Sequence, residues 1–298
     1  MNITCTITLI GFGEAGGIIG QDLAAQGVQV HAYDRLLESP AARDTLQAKA
    51  RACAVTLFDT AAQAAQGADL IISAVTAGSA LQVAQTLAPH LRPGQVFMDI
   101  NSVAPNTKLA ACQAIEAVGA SYIDAAVMAP VPPQRLQTPI LLGGRDAEEI
   151  AQILQALTLN VRVVSAEVGV ASAIKMCRSV MIKGLEALTT ECLSTARQYG
   201  AQDEVLASLH KSFPSMGWNA DLPHYLVSRV AEHGRRRAEE MEEVAKTAAD
   251  VGVAPHMSNA IVATQRGLVE RMAGQGMSYA DTLPFDWTRL VDQLHDGQ

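Results

Sequence analysis

Three glycines near the start of the chain limit the folds it can adopt more than any other feature. The segment from Gly11 to Gly16 reads G-x-G-x-x-G; it follows a β-rich run from Ile3 to Ile10 and precedes a helical pattern from Ile18 to Gln26. In such a segment the first glycine permits a tight turn, the second lets phosphates approach the backbone, and the third lets the helix pack on the strand. The pattern predicts a βαβ unit whose first helix directs its N-terminus at a phosphate-bearing ligand.

The rest of the first half alternates short β-rich runs with amphipathic stretches. One helix is predicted from Pro40 to Ala52, where the proline occupies a tolerated first-turn position. Strands that alternate with helices favour βαβ units and a parallel sheet covered by helices on both faces. The predicted strands are Val28 to Tyr33, Val55 to Phe58, Leu70 to Val75, Val96 to Ile100, Ser121 to Val127 and Ile140 to Leu142.

The second half changes character, because no convincing strand follows Val170. Apolar residues recur at helical spacing from Gly169 to Tyr199, and Gly200 ends this pattern. We therefore predict an α/β Rossmann-type domain over residues 1–167 and an all-α domain over residues 168–298, joined by this long interdomain helix. Further helices are predicted at Gln202 to Ser212, Leu222 to Asp250 and His256 to Met272.

Composition and charge exclude several classes of protein. The net charge of −8, with no basic half, argues against a nucleic-acid surface. No apolar run reaches the ~18 residues of a membrane span, and Met1 to Ile10 lacks the cationic start of a secretory signal. The five cysteines are scattered and no His-x-x-x-His pair occurs, which predicts reduced thiols, no metal site and a cytoplasmic protein.

The predicted phosphate-binding turn has an acidic residue at the distance that a dinucleotide requires. Asp34 ends the second predicted strand, about 20 residues beyond the glycines, where a carboxylate can accept hydrogen bonds from ribose hydroxyls. This favours NAD, whereas the adjacent Arg35 keeps NADP open, and a plain glycine turn in a flavodoxin-like sheet is the alternative. The candidate cofactor-binding residues are Gly11, Phe12, Gly13, Glu14, Ala15, Gly16, Asp34, Arg35, Val75, Thr76, Asn101 and Ser102.

Four segments, in order along nearly the whole chain, carry a resemblance to a known family. They are Gly11 to Gly16 with Tyr33-Asp34-Arg35, then Asp99-Ile100-Asn101-Ser102, then Asp124 to Pro130, and finally Gly169 to Lys175. With these segments the sequence resembles the β-hydroxyacid dehydrogenase family, which includes 3-hydroxyisobutyrate and 6-phosphogluconate dehydrogenases. It looks most like a divergent, phosphogluconate-dehydrogenase-like branch.

The resemblance implies a catalytic lysine and a substrate loop. Lys175 falls on the family's catalytic position, and the substrate would contact Ser102, Met128, Ala129 and Ser179. The chain departs from the family at two of these places: Met128-Ala129-Pro130 replaces the usual Ser-Gly-Gly, and Ser179 replaces an asparagine. The resemblance also implies a homodimer formed through the helical domain.

The residues around Lys175 have a chemical interpretation of their own. On the long helix, Arg178 and Ser179 follow Lys175 at i+3 and i+4, so all three can face one cleft, with Arg178 and Lys183 as cations that lower the pKa of Lys175. A neutral Lys175 would then exchange a proton with a substrate hydroxyl. The alternative is a solvated polar helix face.

Other polar residues on the predicted domains also have two interpretations each. Asn101 and Ser102 bond the nicotinamide carboxamide or the substrate, or else they form a helix N-cap before Pro105.

If the product is a β-keto acid, decarboxylation can follow, and Glu186 and Glu191 are candidate acids by proximity alone.

A charged run in the second half is the remaining candidate for a substrate-binding segment. The arginines of His233 to Arg237 precede the glutamates of Glu239 to Glu243 at the spacing of i, i+4 ion pairs, Arg235 with Glu239 and Arg236 with Glu240. Alternatively, His233 or Arg236 reaches the cleft and clamps an anionic substrate.

Together these features predict an NAD(P)-dependent oxidoreductase that transfers a hydride between the nicotinamide and a small, anionic hydroxy acid or related alcohol. Two alternatives stay open: an imine reductase on the same architecture, and a non-catalytic dinucleotide-binding sensor. No nucleic acid, membrane or metal partner is expected.

Overall fold

A computed structural model describes residues 5–296 of the 298-residue chain. The described chain divides into two compact units, with the boundary between Met176 and Cys177. We call them the sheet unit and the helical unit. The first two residues of the strand predicted at Ile3 to Ile10 lie outside the described residues.

The sheet unit is built on eight strands in the order β3-β2-β1-β4-β5-β6-β7-β8. Strands β1 to β6 are parallel, β7 is antiparallel to β6, and β8 is parallel to β7. The strands are β1 (Thr6–Ile10), β2 (Gln29–Tyr33), β3 (Thr56–Leu57), β4 (Leu70–Ser73), β5 (Val96–Asp99), β6 (Ser121–Val127), β7 (Ile140–Gly143) and β8 (Val161–Ser165).

The predicted parallel sheet is correct for the first six strands and wrong for β7. A parallel neighbour needs a crossover that carries a full helix across the sheet, whereas only short helical turns lie between β6 and β7. Strand β8 was not predicted, although Val161, Val163 and Val164 gave a β-branched signal for it.

Helices cover both faces of this sheet, as the sequence predicts for a parallel sheet. Successive strand residues enter opposite cores: Phe97 packs in one core and Met98 in the other, and Ile71 and Ile72 divide in the same way. The helices of the unit are α1 (Glu14–Ala25), α2 (Pro40–Ala52), α3 (Ala61–Ala65), α4 (Ala80–Leu87), α5 (Pro105–Glu116), α6 (Val131–Gln134) and α7 (Ala147–Ala156).

Described residues beyond Ser165 form helices and no strand, as the sequence predicts. Gly234 lets two of these helices approach closely, because a Cβ there would overlap the backbone oxygen of Gln265. The helices are α8 (Val170–Gln198), which begins in the sheet unit, then α9 (Gln202–Ser212), α10 (Leu222–Asp250), α11 (His256–Gly274) and the unpredicted α12 (Trp287–Asp296). Leu193, Val227, Leu268, Trp287 and Leu290 are among the residues that form the core of the helical unit.

The described residues hold neither a membrane-spanning helix nor a cluster of metal ligands. No helix within residues 5–296 combines the length and the apolar character that a membrane crossing requires. In the same range, no three His, Cys, Asp or Glu side chains are grouped so that they could hold a metal ion.

Candidate active site

The glycine segment forms the turn between β1 and α1. Gly11 has a φ of +97°, and a Cβ there would overlap the carbonyl oxygen of Ala74. Gly13 is the N-cap of α1, no described side chain caps that helix, and no described atom lies within 4 Å of where a Cβ of Gly13 would stand. The helix N-terminus is thus open, and its N–H groups fit the phosphates of a dinucleotide.

Asp34 ties the end of β2 to this turn. Its Oδ2 accepts from the backbone N of Phe12 at 2.8 Å, and its Oδ1 accepts from the backbone N of Leu36 at 2.9 Å. Each carboxylate oxygen keeps a lone pair for a ribose hydroxyl. Arg35 and Glu14 are exposed, whereas the Phe12 side chain is fully buried in the core, so Phe12 can offer a cofactor only its backbone.

Lys49, on α2, is a residue that the sequence analysis missed. Its Nζ donates to the carbonyl oxygens of Phe12 at 2.8 Å and Gly13 at 2.7 Å, and lies 4.8 Å from the centre of the Phe12 ring. The ammonium therefore holds the glycine turn and adds positive charge beside the N-terminus of α1. No motif surrounds Lys49, so only the folded chain shows this contact.

Asn101, just beyond β5, joins the ends of two neighbouring strands. Its Oδ1 accepts from the backbone N of Val75 at 2.7 Å, and its Nδ2 donates to Ser73 Oγ at 3.0 Å and to Asp99 Oδ1 at 2.7 Å. Both amide hydrogens are used within the protein, so Asn101 shapes the strand ends instead of offering a free donor.

The N-cap interpretation of Asn101 and Ser102 is wrong. Helix α5 begins at Pro105, and its N-cap is Ala104 instead of Asn101 or Ser102. Thr76, a predicted cofactor contact, is exposed after β4, with its Oγ1 3.1 Å from Ser79 Oγ.

Lys175 meets Ser102 at this edge of the sheet. The Lys175 Nζ donates to Ser102 Oγ at 2.5 Å, and both residues are half-buried. Ser102 follows the carboxyl end of β5, and Lys175 lies in the second turn of α8. A cation and a hydroxyl thus stand beside the strand ends that carry the glycine turn, where a ligand of an open α/β sheet binds.

The predicted substrate loop offers an apolar surface. The backbone N of Met128 donates to the Pro139 oxygen at 2.9 Å, and its half-buried side chain packs against the cluster of Ala126, Leu141 and Ala171. Ala129 is also half-buried. Hydroxyl and glycine positions of the resembled family are therefore replaced here by a thioether and a methyl group.

The neighbours of Lys175 on α8 differ in exposure. Ser179 is buried and Arg178 is exposed, and the common cleft that helical spacing predicts for them and Lys175 stays a prediction. Lys183 is bound elsewhere, because its Nζ donates to Glu240 Oε2 at 2.6 Å, and burial lowers its pKa. The two cations expected to flank Lys175 are thus solvated in one case and ion-paired in the other.

The two candidate acids of the helical unit lie in different surroundings. Glu186 is buried, and its Oε2 accepts from Arg237 Nη1 at 2.7 Å and from Gln265 Nε2 at 3.1 Å. Burial raises the pKa of Glu186. Glu191 is exposed.

The charged run on α10 forms one of the two predicted ion pairs. Arg236 Nη1 donates to Glu240 Oε1 at 2.7 Å, whereas the pair of Arg235 with Glu239 does not form within the described chain. His233 Nε2 lies 3.2 Å from Glu232 Oε2, and desolvation together with Arg229 lowers the His233 pKa. A cavity of about 400 Å³ within the helical unit is lined by charges of both signs, including His233, Arg235, Arg236, Glu232 and Glu239.

The fold and the open helix terminus define a dinucleotide-binding protein of the Rossmann type. A family model described as the NAD binding domain of 6-phosphogluconate dehydrogenase matches residues 6–165, more than half of the chain. A second model, a domain of unknown function (DUF1932), matches residues 196–268. The chain belongs to the β-hydroxyacid dehydrogenase family.

Individual proteins resemble this chain over most of its length. A conserved hypothetical protein from Sinorhizobium meliloti 1021 is 39% identical, with 98% of this chain and 97% of that chain covered and a TM-score of 0.79. Conserved protein MTH1747, described as structurally similar to 3-hydroxyacid dehydrogenases, is 32% identical, with 92% and 100% covered and a TM-score of 0.71. The 3-hydroxyisobutyrate dehydrogenase of Pseudomonas aeruginosa is 25% identical, with 72% of each chain covered.

These comparisons confirm several predictions. They confirm the family, the Rossmann-type and helical architecture, and the nicotinamide cofactor. They also confirm the class of enzyme, which is an NAD(P)-dependent dehydrogenase acting on CH–OH.

Proposed function

We propose that the chain oxidises or reduces a small hydroxy acid or related alcohol, with Lys175 as the general acid and base. The observation that carries the proposal is the 2.5 Å contact between Lys175 Nζ and Ser102 Oγ. It brings a titratable side chain to the carboxyl edge of the sheet, where β1 ends in the open glycine turn. Geometry thus adds support to an assignment that first came from family resemblance.

The proposed mechanism divides the work between the cofactor and the protein. A bound nicotinamide supplies and accepts the hydride. Lys175 takes the proton from the substrate hydroxyl during oxidation and returns it to the forming alkoxide during reduction. Ser102 holds the Lys175 amine by its hydroxyl oxygen, and Asp34 and the turn at Gly13 orient the cofactor.

Two groups of residues support a narrower proposal. Met128 and Ala129 supply apolar contact to the substrate, and Arg236 is the proposed cation for its carboxylate, with His233, whose pKa is lowered, as a neutral hydrogen-bond donor. Ser179 remains a proposed substrate contact through its place in the family pattern.

We also propose that the protein is a cytoplasmic homodimer. Helix α8 exposes large apolar side chains, with Met181 66% and Leu188 58% exposed, and these would be covered in a dimer. Light scattering of the purified chain should then give twice the mass of one chain; a monomer at micromolar concentration would contradict the dimer.

The test is turnover by the full chain, followed by the absorbance of the reduced nicotinamide. The panel contains 3-hydroxyisobutyrate, L-serine, related hydroxy acids and their oxidised forms, with NAD and NADP run separately. Lys175→Ala should lower kcat by about 10²- to 10⁴-fold and leave the Kd for NADH unchanged. The matched control is Lys211→Ala, because Lys211 is an exposed lysine on α9.

Three other outcomes would contradict the proposal. Full activity in Lys175→Ala would remove the catalytic assignment. Activity with cyclic imines and none with alcohols would favour an imine reductase. Tight NADH binding with no turnover across the whole panel would favour a cofactor-binding sensor, which the replaced substrate loop at Met128 makes the second candidate.

A further inference from the structure

Three charged side chains are enclosed in the sheet unit, and the proposed function uses none of them. Asp99, Lys108 and Asp124 are 1%, 0% and 0% exposed. Asp99 and Asp124 are paired neighbours on β5 and β6. Lys108 Nζ lies 3.0 Å from Asp99 Oδ1 and 3.6 Å from Asp124 Oδ1, and donates to the Asp99 main-chain oxygen at 2.6 Å. A buried lysine between two carboxylates is rare, and its arrangement needs a reason.

The Asp99 carboxylate fixes the loop that carries Ser102. Its Oδ1 accepts from the backbone N of Asn101 at 2.8 Å and from Asn101 Nδ2 at 2.7 Å. Its Oδ2 accepts from the Tyr122 hydroxyl at 2.8 Å, and burial together with Asp99 raises the pKa of Tyr122. Tyr122 therefore stays a donor, and the residue before Ser102 is held on both its backbone and its side chain.

The Asp124 carboxylate fixes the start of the helix that carries Lys175. Its Oδ2 accepts from the backbone N of Gly169 and of Ser172, each at 3.0 Å, and its Oδ1 accepts from Ser172 Oγ at 2.5 Å. A carboxylate at this end of α8 also interacts favourably with the helix dipole. Ser172 is three residues before Lys175, on the same side of the helix and one turn away.

Lys108 thus connects the Asp99 carboxylate with the Asp124 carboxylate. Its ammonium links the carboxylate that holds the Ser102 loop to the carboxylate that holds the first turn of α8. Without the cation, the two buried carboxylates would repel each other across β5 and β6. We infer that Lys108 and Asp124 are positioning residues, which set the place of Lys175 relative to Ser102 by fixing the two backbone segments that carry them.

This inference rests on the proposed role of Lys175, so its test has one readout that needs no turnover. Lys108 itself is a poor probe, because its removal strands two buried carboxylates. Ser172→Ala removes one hydroxyl that donates to Asp124 and changes neither Lys175 nor Ser102 itself. Asp124→Asn keeps the size of the side chain and removes its charge.

The first readout is the rate at which acetic anhydride acetylates Lys175 in the full chain, followed by peptide mass spectrometry across pH. We expect this rate to change by about threefold in Ser172→Ala and by more in Asp124→Asn, since a looser helix start alters the environment of the amine. The control is Thr8→Val, which removes another buried hydroxyl, one that donates to Ala64 O at 2.6 Å, and should leave the rate unchanged. Ser172→Thr, which restores a hydroxyl, should return the rate toward that of the wild type.

The second readout is kinetic, with the substrate found in the panel. The two variants should lower kcat by about 10-fold, because misplacement of a reacting group by ~1 Å is costly, and leave KM and the Kd for NADH unchanged. Equal acetylation of Lys175 in wild type, Ser172→Ala and Asp124→Asn would overturn the inference, as would an equal change in Thr8→Val. If no substrate is turned over, the proposed function fails, whereas acetylation still decides the positioning role.

Discussion

Both units of the chain bury charge, but they bury it in different ways. The sheet cluster consists of Asp99, Lys108 and Asp124. Its carboxylate oxygens accept hydrogen bonds largely from backbone N–H groups and hydroxyls. The helix cluster, Glu186, Arg237, Lys183 and Glu240, pairs side chain with side chain across helices.

The two clusters also differ in how completely their polar atoms are satisfied. In the helix cluster, Arg237 Nε and its neighbour Gln265 Oε1 have no hydrogen-bond partner within the described chain. Burial lowers the pKa of Lys183 and raises that of Glu186, so desolvation there outweighs the attraction of the opposite charges. Charge in the sheet unit therefore fixes backbone, whereas charge in the helical unit fixes helix packing at an electrostatic cost.

The largest effect should come from breaking the sheet cluster. Lys108→Met leaves two buried carboxylates without their cation and should lower the free energy of unfolding of the sheet unit by about 3–5 kcal/mol. Urea unfolding followed by hydrogen exchange of the β5 and β6 peptides measures this. The control is Arg43→Met, which removes an exposed pair with Asp59 in the same unit. Equal midpoints for the two variants would show that Lys108 does not hold the strands.

A smaller loss should follow from breaking the helix cluster. Arg237→Met leaves Glu186 with Gln265 as a donor and lets the carboxyl take up a proton, so the helical unit should lose about 2 kcal/mol. Tryptophan fluorescence reports this unit alone, because Trp218 and Trp287 are the only tryptophans of the sequence and both follow Met176. A loss as large as that of Lys108→Met would erase the difference between the clusters.

The pH dependence of stability should separate the clusters further. The folded-state pKa of Glu186 is raised above its usual 4.5, so the folded protein binds more protons than the unfolded chain in the window just above that value. Stability from this group is present below the window and is lost as the pH rises through it. Glu186→Gln should remove this slope, measured by urea unfolding with tryptophan fluorescence from pH 4 upward in ~0.5 steps.

Four groups act on this carboxyl. Arg237 and Gln265 donate to it, and the charges of Arg229 on α10 and of Lys183, one turn earlier on the same helix, oppose the rise of its pKa. Glu191→Gln is the matched control, because Glu191 is an exposed glutamate on α8. A slope that persists in Glu186→Gln, or disappears in Glu191→Gln, would assign the pH dependence to another group.

The sequence predicts those parts of the fold that have local signals. The glycine turn from Gly11 to Gly16 and the long helix α8 follow from backbone permissiveness and from the periodicity of apolar residues, which are properties of neighbouring residues. The antiparallel direction of β7 follows from the short connection after β6, and β8 has a local β-branched signal at Val161, Val163 and Val164. Which strand each of them pairs with is decided by distant segments.

The residues of the candidate site likewise divide into those with a signal in the sequence and those without one. Asp34 was found from its spacing, and Lys175 from family resemblance. Lys49 and Lys108 gave no local signal, because their roles depend on carbonyls and carboxylates far away in sequence. The place of Lys183 could not be predicted for a related reason: helical spacing gives the helix face on which a residue lies, whereas the Lys183 ammonium binds Glu240 on another helix.

The smallest effect should come from a partly exposed ion pair in the helical unit. Arg197 binds Asp292 through two nitrogens at 2.9 and 2.7 Å, and the two side chains are 31% and 43% exposed. Water and salt weaken such a pair, and holding two long side chains in place costs entropy. Arg197→Met should therefore leave the tryptophan-detected midpoint within experimental error of the wild type at physiological salt. A shift as large as that of Arg237→Met would mean that the number of hydrogen bonds, and not burial, determines the contribution of charge in the helical unit.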